Sequence, residues 1–341
     1  MRIALDMMGG DHAPHEIVHG AVEASIKLKD IACILMVGDE AAIRAELVKY
    51  PKADQSRLKI VHAPELIGMD ESPVTAIRKK KLCSINICMD LLKNKEVDAM
   101  VSAGNSGAVA AAAVFSLGRI PGVIRPAIAT VLPTRHPNRP LLLLDAGANT
   151  DCDETWLAQF AVMGSAYSSA VLKRTEPVVG LLNIGTEDCK GNEMTKKAFQ
   201  LIQKTHVKFR GNVEGHDLFL GKTDVVVCDG FVGNVVLKTA ESVAHAVGYW
   251  MKKEFFRHPL RLLGALLLKG ALQTLKHRMD PEIYGGAPLL GVPGAVIISH
   301  GSSTYFAIFN AIIAGAAAAS NNLTDEIAKR IAAMEPTAQA E

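Results

Sequence analysis

The chain alternates short, wholly apolar runs with longer stretches in which apolar residues recur every three or four positions. Ile3 to Asp6 reads as a buried strand, Glu16 to Lys29 as a helix, and Ile31 to Val37 as the next apolar run. A second helix from Glu40 to Lys49 leads to Leu58 to Val61, which completes βαβαβ spacing. Farther on, Ala99 to Ser102, Ile128 to Leu132, Leu141 to Asp145, Val178 to Ile184 and Val225 to Cys228 read as strands, most of them followed by a loop and a helix-compatible stretch. Apolar strands alternating with helices predict an α/β fold with a mainly parallel sheet. No fixed-period repeat interrupts the pattern.

The turns that follow the strands share a chemistry. Ser102-Ala-Gly-Asn-Ser-Gly107, Asp145-Ala-Gly-Ala-Asn149, Asn183-Ile-Gly-Thr-Glu187, Asp229-Gly-Phe-Val-Gly-Asn234 and Ser299-His-Gly-Ser-Ser303 each read as a strand-to-helix corner. In an open parallel sheet such corners lie on one edge, where glycine lets the backbone approach a ligand. The N–H groups of the following helix starts favour an anion there. One such turn is an ordinary helix cap; five on a single presumed edge point to a binding site.

Composition narrows the function classes. The 37 Lys+Arg against 35 Asp+Glu leave a net charge of +2, too small for a protein whose affinity rests on neutralising duplex phosphates, so nucleic acid is not an expected partner. With 341 residues, 49% of them hydrophobic, the chain has material for one large or two ordinary domains. Asp6 and Asp11 interrupt the N-terminal stretch where a signal peptide needs an unbroken apolar run, so the cytoplasm is expected. The six cysteines lack metal or redox spacing, and no apolar run is long enough to span a bilayer.

Familiar catalytic signatures fail on spacing. Met7-Met-Gly-Gly-Asp-His12 after the first strand is not a dinucleotide fingerprint, and Gly215 to Thr223 misses the P-loop spacing and precedes a strand. Ser106 lacks the nucleophile-elbow pattern. His12, His15 and His19 share a helical spacing but have no clear further ligands, so neither metal nor cofactor is expected. A site without its own nucleophile suits a substrate that brings one, such as inorganic phosphate. Gly/Asn loops, helix N-termini and a lysine would position it and stabilise charge on the carbonyl under attack.

Between Val243 and Arg278 the character changes. From Lys252 to Arg278, seven Lys or Arg stand against Glu254 alone, mixed with aromatic and leucine-rich sequence. Pro259 should divide this segment into two helices, the second amphipathic from Arg261 to Lys276. Trp250, Arg257, Arg261, Leu263, Leu267 and Lys269 are its candidate contact residues. Packing on the core or in a dimer interface and lying on an anionic bilayer both remain open. Phe306 to Ala319 reads as a buried helix. Arg78-Lys-Lys-Lys81 reads as a solvated helix face or, if it borders the cleft, a place for an acidic partner or phosphates. The expected organisation is a single large α/β domain over 1–334, with 243–280 a projecting amphipathic helical hairpin and 335–341 a frayed tail.

The opening IALDMMGGDHAP, with SAGNSGA, LLLLDAGAN, NIGTEDCKGN and DGFVGN following in that order, closely resembles the bacterial phosphate acyltransferase family, the acyl-acyl carrier protein:phosphate acyltransferases of phospholipid synthesis. The resemblance runs from Arg2 to about Met334. It implies a three-layer α/β/α fold similar to the phosphotransacetylase/isocitrate dehydrogenase group, and a homodimer associated peripherally with the membrane. It also implies conversion of a long-chain acyl thioester on acyl carrier protein and inorganic phosphate into acyl phosphate, handed to a membrane glycerol-3-phosphate acyltransferase. By the match, Lys190, Asp229, Asp145 and His12 are the catalytic candidates. Gly9, Gly10, Asp11, Asn105, Ser106, Asn149, Thr186, Asn192 and Asn234 are the candidates for holding phosphate or substrate. Asp145 and Asp229 are expected to orient donors or the phosphate proton rather than attack. The alternatives are a phosphotransacetylase-like enzyme acting on acyl-coenzyme A and a non-catalytic membrane-associated scaffold.

Overall fold

In a computed structural model, every strand named above forms within two residues of its expected bounds. The structure describes residues 1–334; the tail expected to fray, 335–341, lies outside the described residues. The N-terminal part runs β1 (Arg2–Asp6), α1 (His15–Lys27), β2 (Cys33–Gly38), α2 (Glu40–Leu47), β3 (Leu58–His62), α3 (Pro73–Lys79), α4 (Ser84–Lys93), β4 (Ala99–Ser102), α5 (Ser106–Ser116) and β5 (Ala127–Leu132). It continues through β6 (Leu141–Leu144), α6 (Glu154–Ala170), β7 (Val178–Leu182), α7 (Glu193–Gln203), β8 (Lys208–Val213), β9 (Val225–Val227), α8 (Gly230–Phe256), α9 (Pro259–Leu267) and α10 (Lys269–Met279). Last come β10 (Ala287–Leu290), β11 (Ala295–Ile298), α11 (Tyr305–Ser320) and α12 (Leu323–Ala332).

All eleven strands join one sheet in the order β3-β2-β1-β4-β11-β10-β5-β6-β9-β7-β8. Successive side chains on a strand point to opposite faces, and the core divides accordingly. Ala4 and Met100 face the helices α3, α4 and α5, whereas Ile3, Leu5 and Val101 face α1 and α11. In the other half, Leu142, Leu144, Val225 and Val227 face α6, α7 and α12, and Leu141, Leu143 and Val226 turn the opposite way, towards Val236 and Leu237 of α8. Helices therefore cover both faces of the sheet, giving the three layers that the family resemblance implied. Burying each such side chain contributes about 1.5–3 kcal/mol, which is why the runs are apolar without alternation.

Strand direction corrects one expectation. β3, β2, β1, β4 and β11 form a parallel block, and β6, β9, β7 and β8 form another. Between them, β11–β10, β10–β5 and β5–β6 are all antiparallel, so the two blocks run in opposite directions. The corners after β4 and β11 thus leave the sheet at one edge, and those after β6, β7 and β9 at the other. They do not line a single edge. Residues 133–140 are too few to hold a crossover helix, which forces β5 and β6 to be antiparallel neighbours; the tight turn between β10 and β11 reverses the chain again.

The segment after Val243 also departs in detail. α8 runs unbroken to Phe256 and Pro259 opens α9, but the expected second helix breaks at Leu268 (φ −88°, ψ 4°) into α9 and α10. Gly264 and Gly270 flank that break and weaken the helix there. Neither α9 nor α10 buries a single residue. Trp250, Arg257, Arg261, Leu263, Leu267 and Lys269 are all exposed. Among the described residues no single helix is long and apolar enough to cross a membrane; the apolar α11 turns Ala307, Ile308, Ala311 and Ile312 into the core.

Candidate active site

The first group of corners is fastened by a buried carboxylate. Asp6, at the end of β1, accepts from the Ser102 hydroxyl at 2.6 Å and from the Met8 N–H at 3.1 Å, while Ser102 Oγ accepts from the Gly104 N–H at 3.0 Å. Burial pushes the Asp6 carboxyl up, opposed first by the Ser102 hydrogen bond. A Cβ on Gly9 would come within 2.5 Å of the Gly104 nitrogen, and Gly10 adopts φ +101° with the Gly301 carbonyl beside it. Only glycine permits this approach. The Asp11 N–H donates to the Gly301 carbonyl at 2.7 Å, which brings the 299–303 corner into the same group. Asn105 caps α5 through the Ala108 N–H at 3.1 Å and donates to the Met69 and Glu71 carbonyls at 3.0 and 3.2 Å. Asp11, His12 and Ser106 stand exposed on this surface.

The second group is built around Asp145. Its Oδ1 accepts from the N–H groups of Ile128, Gly147 and Ala148 at 3.0, 3.1 and 3.0 Å, and its Oδ2 from the Asn149 N–H and side-chain amide at 2.7 and 2.9 Å. Both oxygens are committed to shaping the 145–149 turn, although burial still pushes the carboxyl up against those donors. The Gly230 N–H donates to the Asn149 carbonyl at 2.7 Å, so the start of α8 closes over the turn. Asp229 caps α8 through the Val232 N–H at 2.8 Å, and Asn192 caps α7 through the Thr195 N–H at 2.8 Å. Thr186, Lys190 and Asn234 are exposed. Lys190 faces Glu187 at 4.0 Å with 47% of its side chain open to solvent. Across the three corners of this group and the three of the first, residues 7–12, 102–107, 145–153, 183–192, 228–234 and 299–304, it is the only Lys or Arg.

The structure ties Gly9, Gly10, Asp11, His12, Asn105 and Ser106 into one set and Asp145, Asn149, Asp229 and Asn234 into another; Thr186, Lys190 and Asn192 lie on the corner after β7, at the same sheet edge as the second set, and no hydrogen bond among the described residues joins them to it. His12 is separated from the other three catalytic candidates by strand direction, and no hydrogen bond among the described residues joins the sets. Two bracing residues were not among the predicted site residues, although Asn183 opens one of the predicted corners. Asn183 and Asn212 hydrogen-bond each other at 3.1 Å and hold the Lys190 and Glu187 carbonyls, bracing the lysine loop; Asn212 lies on β8, an edge strand whose mixed pattern gave no strand signal. The three N-terminal histidines do not gather: His15 is held by Glu46 at 2.5 Å and His19 stacks on Tyr305 at 3.9 Å between ring centres. Among the described residues, the side chains that approach as metal ligands are those of Glu214, His216 and Asp217, outside all six corners.

The thiols near the second set are poor nucleophiles. Burial, reinforced by the charges of Asp145 and Asp229, pushes Cys152 up to about 12, and burial drives Cys228 well above the usual thiol range. Cys189 and Ser106 are exposed and have no hydrogen-bonded base among the described residues. The arrangement thus offers backbone donors, caps and one cation, and it holds its buried thiols in the protonated form.

Comparison with known proteins places this architecture. A family described as fatty acid synthesis protein matches residues 1–326. A phosphate acyltransferase of Thermoanaerobacter pseudethanolicus is 48% identical over 334 residues, 98% of each chain, and one of Desulforamulus reducens is 52% identical over 314 residues, 92% of each. A phosphotransacetylase from Streptococcus pyogenes shares the fold with a TM-score of 0.61 at 19% identity over 94% of both chains. The EutD phosphotransacetylase from Staphylococcus aureus does so with 0.60 at 18% over the same share. With near-complete coverage at about half identity, and with the five corner motifs in place, the chain belongs to the phosphate acyltransferase family.

Proposed function

We propose that this acyltransferase forms a long-chain acyl phosphate from acyl-acyl carrier protein and inorganic phosphate. The observation that supports it best is a corner set holding one cation and no activated protein nucleophile. Phosphate supplies the nucleophile itself. A phosphate oxygen attacks the thioester carbonyl carbon, the C–O bond forms, the C–S bond breaks, and the carrier's thiolate leaves and takes up a proton. A thiol with pKa near 8.5 leaves with little acid assistance, so no strong general acid is required. Lys190 and nearby N–H groups stabilise the negative oxygen of the tetrahedral intermediate. Asp145 and Asp229 act through the loops they shape.

The test is direct. Incubated with palmitoyl-carrier protein, phosphate and hydroxylamine, the protein should yield palmitoyl hydroxamate, with much less from acetyl-coenzyme A. Cys189→Ser should keep full turnover, because attack is direct. No hydroxamate from the carrier thioester, or a preference for acetyl-coenzyme A, would overturn the reading.

The same reading places the enzyme as a cytoplasmic homodimer resting on the inner face of the membrane, where a glycerol-3-phosphate acyltransferase takes up the labile product. Exposed Trp250, Leu263 and Leu267 beside Arg257, Arg261 and Lys269 support it, because apolar insertion and roughly 1 kcal/mol per cation at an anionic surface add together. Leu263→Glu combined with Leu267→Glu should abolish co-flotation with liposomes containing anionic lipid. Unchanged flotation would refute the membrane contact.

A further inference from the structure

Exposed apolar side chains are distributed unevenly among the six corners. Those of the first set, 7–12, 102–107 and 299–304, and the 145–153 corner expose no large apolar residue. The corners after β7 and β9 expose three: Ile184 is 81% open, Phe231 63% and Val232 37%, and Val235, one turn along α8, is 51% open. An exposed apolar residue standing alone is ordinary, but four on two neighbouring loops form a contact surface. Helix capping does not account for them, because Asn192 and Asp229 are the side chains that satisfy the helix starts.

Their location is equally specific. Leu181 pairs with Val227, so the two corners leave adjacent parallel strands at the same level. One amide, that of Asn183, accepts from the Ile184 N–H at 2.9 Å and donates to the Lys190 carbonyl at 3.1 Å. A Cβ on Gly185 would meet Lys190 Cγ at 2.9 Å, so the lysine stem crosses its own loop directly beside Ile184. On α8, Val236 and Leu237 pack on the core cluster that holds Leu182 and Val226. Phe231 and Val235, four residues apart, share an exposed flank of the same first turns.

We infer that Ile184, Phe231, Val232 and Val235 receive the acyl chain of the thioester and set a preference for long chains. The inference rests on the reading above, which puts the carbonyl under attack at Lys190. The chain is covalently tied to that carbonyl, so its first methylenes leave across the Lys190 loop, and the exposed apolar surface there is Ile184 with the start of α8. Each methylene buried on these side chains favours a long chain over a short one, and the same contacts hold the carbonyl in place while phosphate attacks.

The experiment uses the full-length enzyme and one carrier protein loaded with either palmitoyl or butyryl, and compares kcat/KM for hydroxamate formation from each. In the ratio of the two values, folding, phosphate binding and carrier docking cancel. The parent should favour palmitoyl. Phe231→Ala and Ile184→Ala should each lower the palmitoyl-to-butyryl ratio about tenfold, and Phe231→Leu should keep most of it. Val48→Ala, at the end of α2 beside the opposite end of the sheet, should keep all of it. An unchanged ratio in both alanine variants, or equal losses on the two thioesters, would overturn the chain site and leave the proposed reaction standing. Dissociation of a dimer by Phe231→Ala would also overturn it, giving this face to a second copy of the chain. No hydroxamate from palmitoyl-carrier protein with the parent enzyme is the separate failure of the reaction, and the chain site falls with it.

Discussion

Lys190→Ala should lower kcat for acyl phosphate formation by about 10²–10³-fold, the usual consequence of removing one preorganised donor from a developing oxyanion. The expectation follows from its solitude: no other Lys or Arg occurs in any of the six corner loops, so no neighbour can replace the charge. The same substitution should leave thermal stability nearly unchanged. The ammonium is half exposed and its Glu187 partner sits 4.0 Å away, and a pair of this kind contributes between zero and about 1 kcal/mol. A change in kcat without a change in Tm therefore separates chemistry from folding. Lys190→Arg should recover part of the rate, because the charge returns in a different shape. Full hydroxamate turnover by Lys190→Ala would remove the lysine from the mechanism.

Gly233→Ala should do the opposite, failing in stability before activity can be measured. The glycine sits in the first turn of α8, and a Cβ there would fall 1.9 Å from the Asp145 carbonyl oxygen and 3.1 Å from Cys228 Sγ. The obstacle is backbone, so it cannot rotate aside. Relief requires α8 to move off the 145–149 turn, which breaks the Gly230 to Asn149 hydrogen bond and disturbs a carboxylate holding five N–H donors. Overpacking commonly costs about 1–3 kcal/mol and occasionally more; this site belongs at or beyond the upper end, a large share of a typical stability of roughly 5–15 kcal/mol. Gly248→Ala on the same helix is the control. Nothing lies within 4 Å of its added methyl, and alanine favours a helix over glycine by about 1 kcal/mol, so Tm should hold or rise. Equal melting temperatures for Gly233→Ala and the parent would show that the turn yields freely.

Most of this architecture was legible because it follows from local chemistry. Strands buried on both faces must be apolar throughout, and Val225 to Val227 or Leu141 to Leu144 cannot read as anything else. Asn105, Asn192 and Asp229 follow strands and precede helices, the place where a side chain must satisfy orphan N–H groups, and all three do so. The strands that escaped are interrupted: β10 carries Pro288, and β8 mixes Lys208, Arg210, Gly211 and Asn212 with its apolar residues. The break at Leu268 escaped because helix periodicity continues across it.

The sequence alone determined the alternation of strand and helix, the glycine-bearing corners, the lone lysine among them, and the family. Each is set within a few neighbouring residues. Only the tertiary structure decided that the corners divide into two sets, because the sense of a strand depends on which neighbour it pairs with, and β10 and β5 reverse it between the blocks. Tertiary packing likewise made Asp145 the brace of its own turn. It also turned Lys80 inward onto Glu71 and laid Arg78 over the Phe115 ring, while Lys79 and Lys81 stayed exposed.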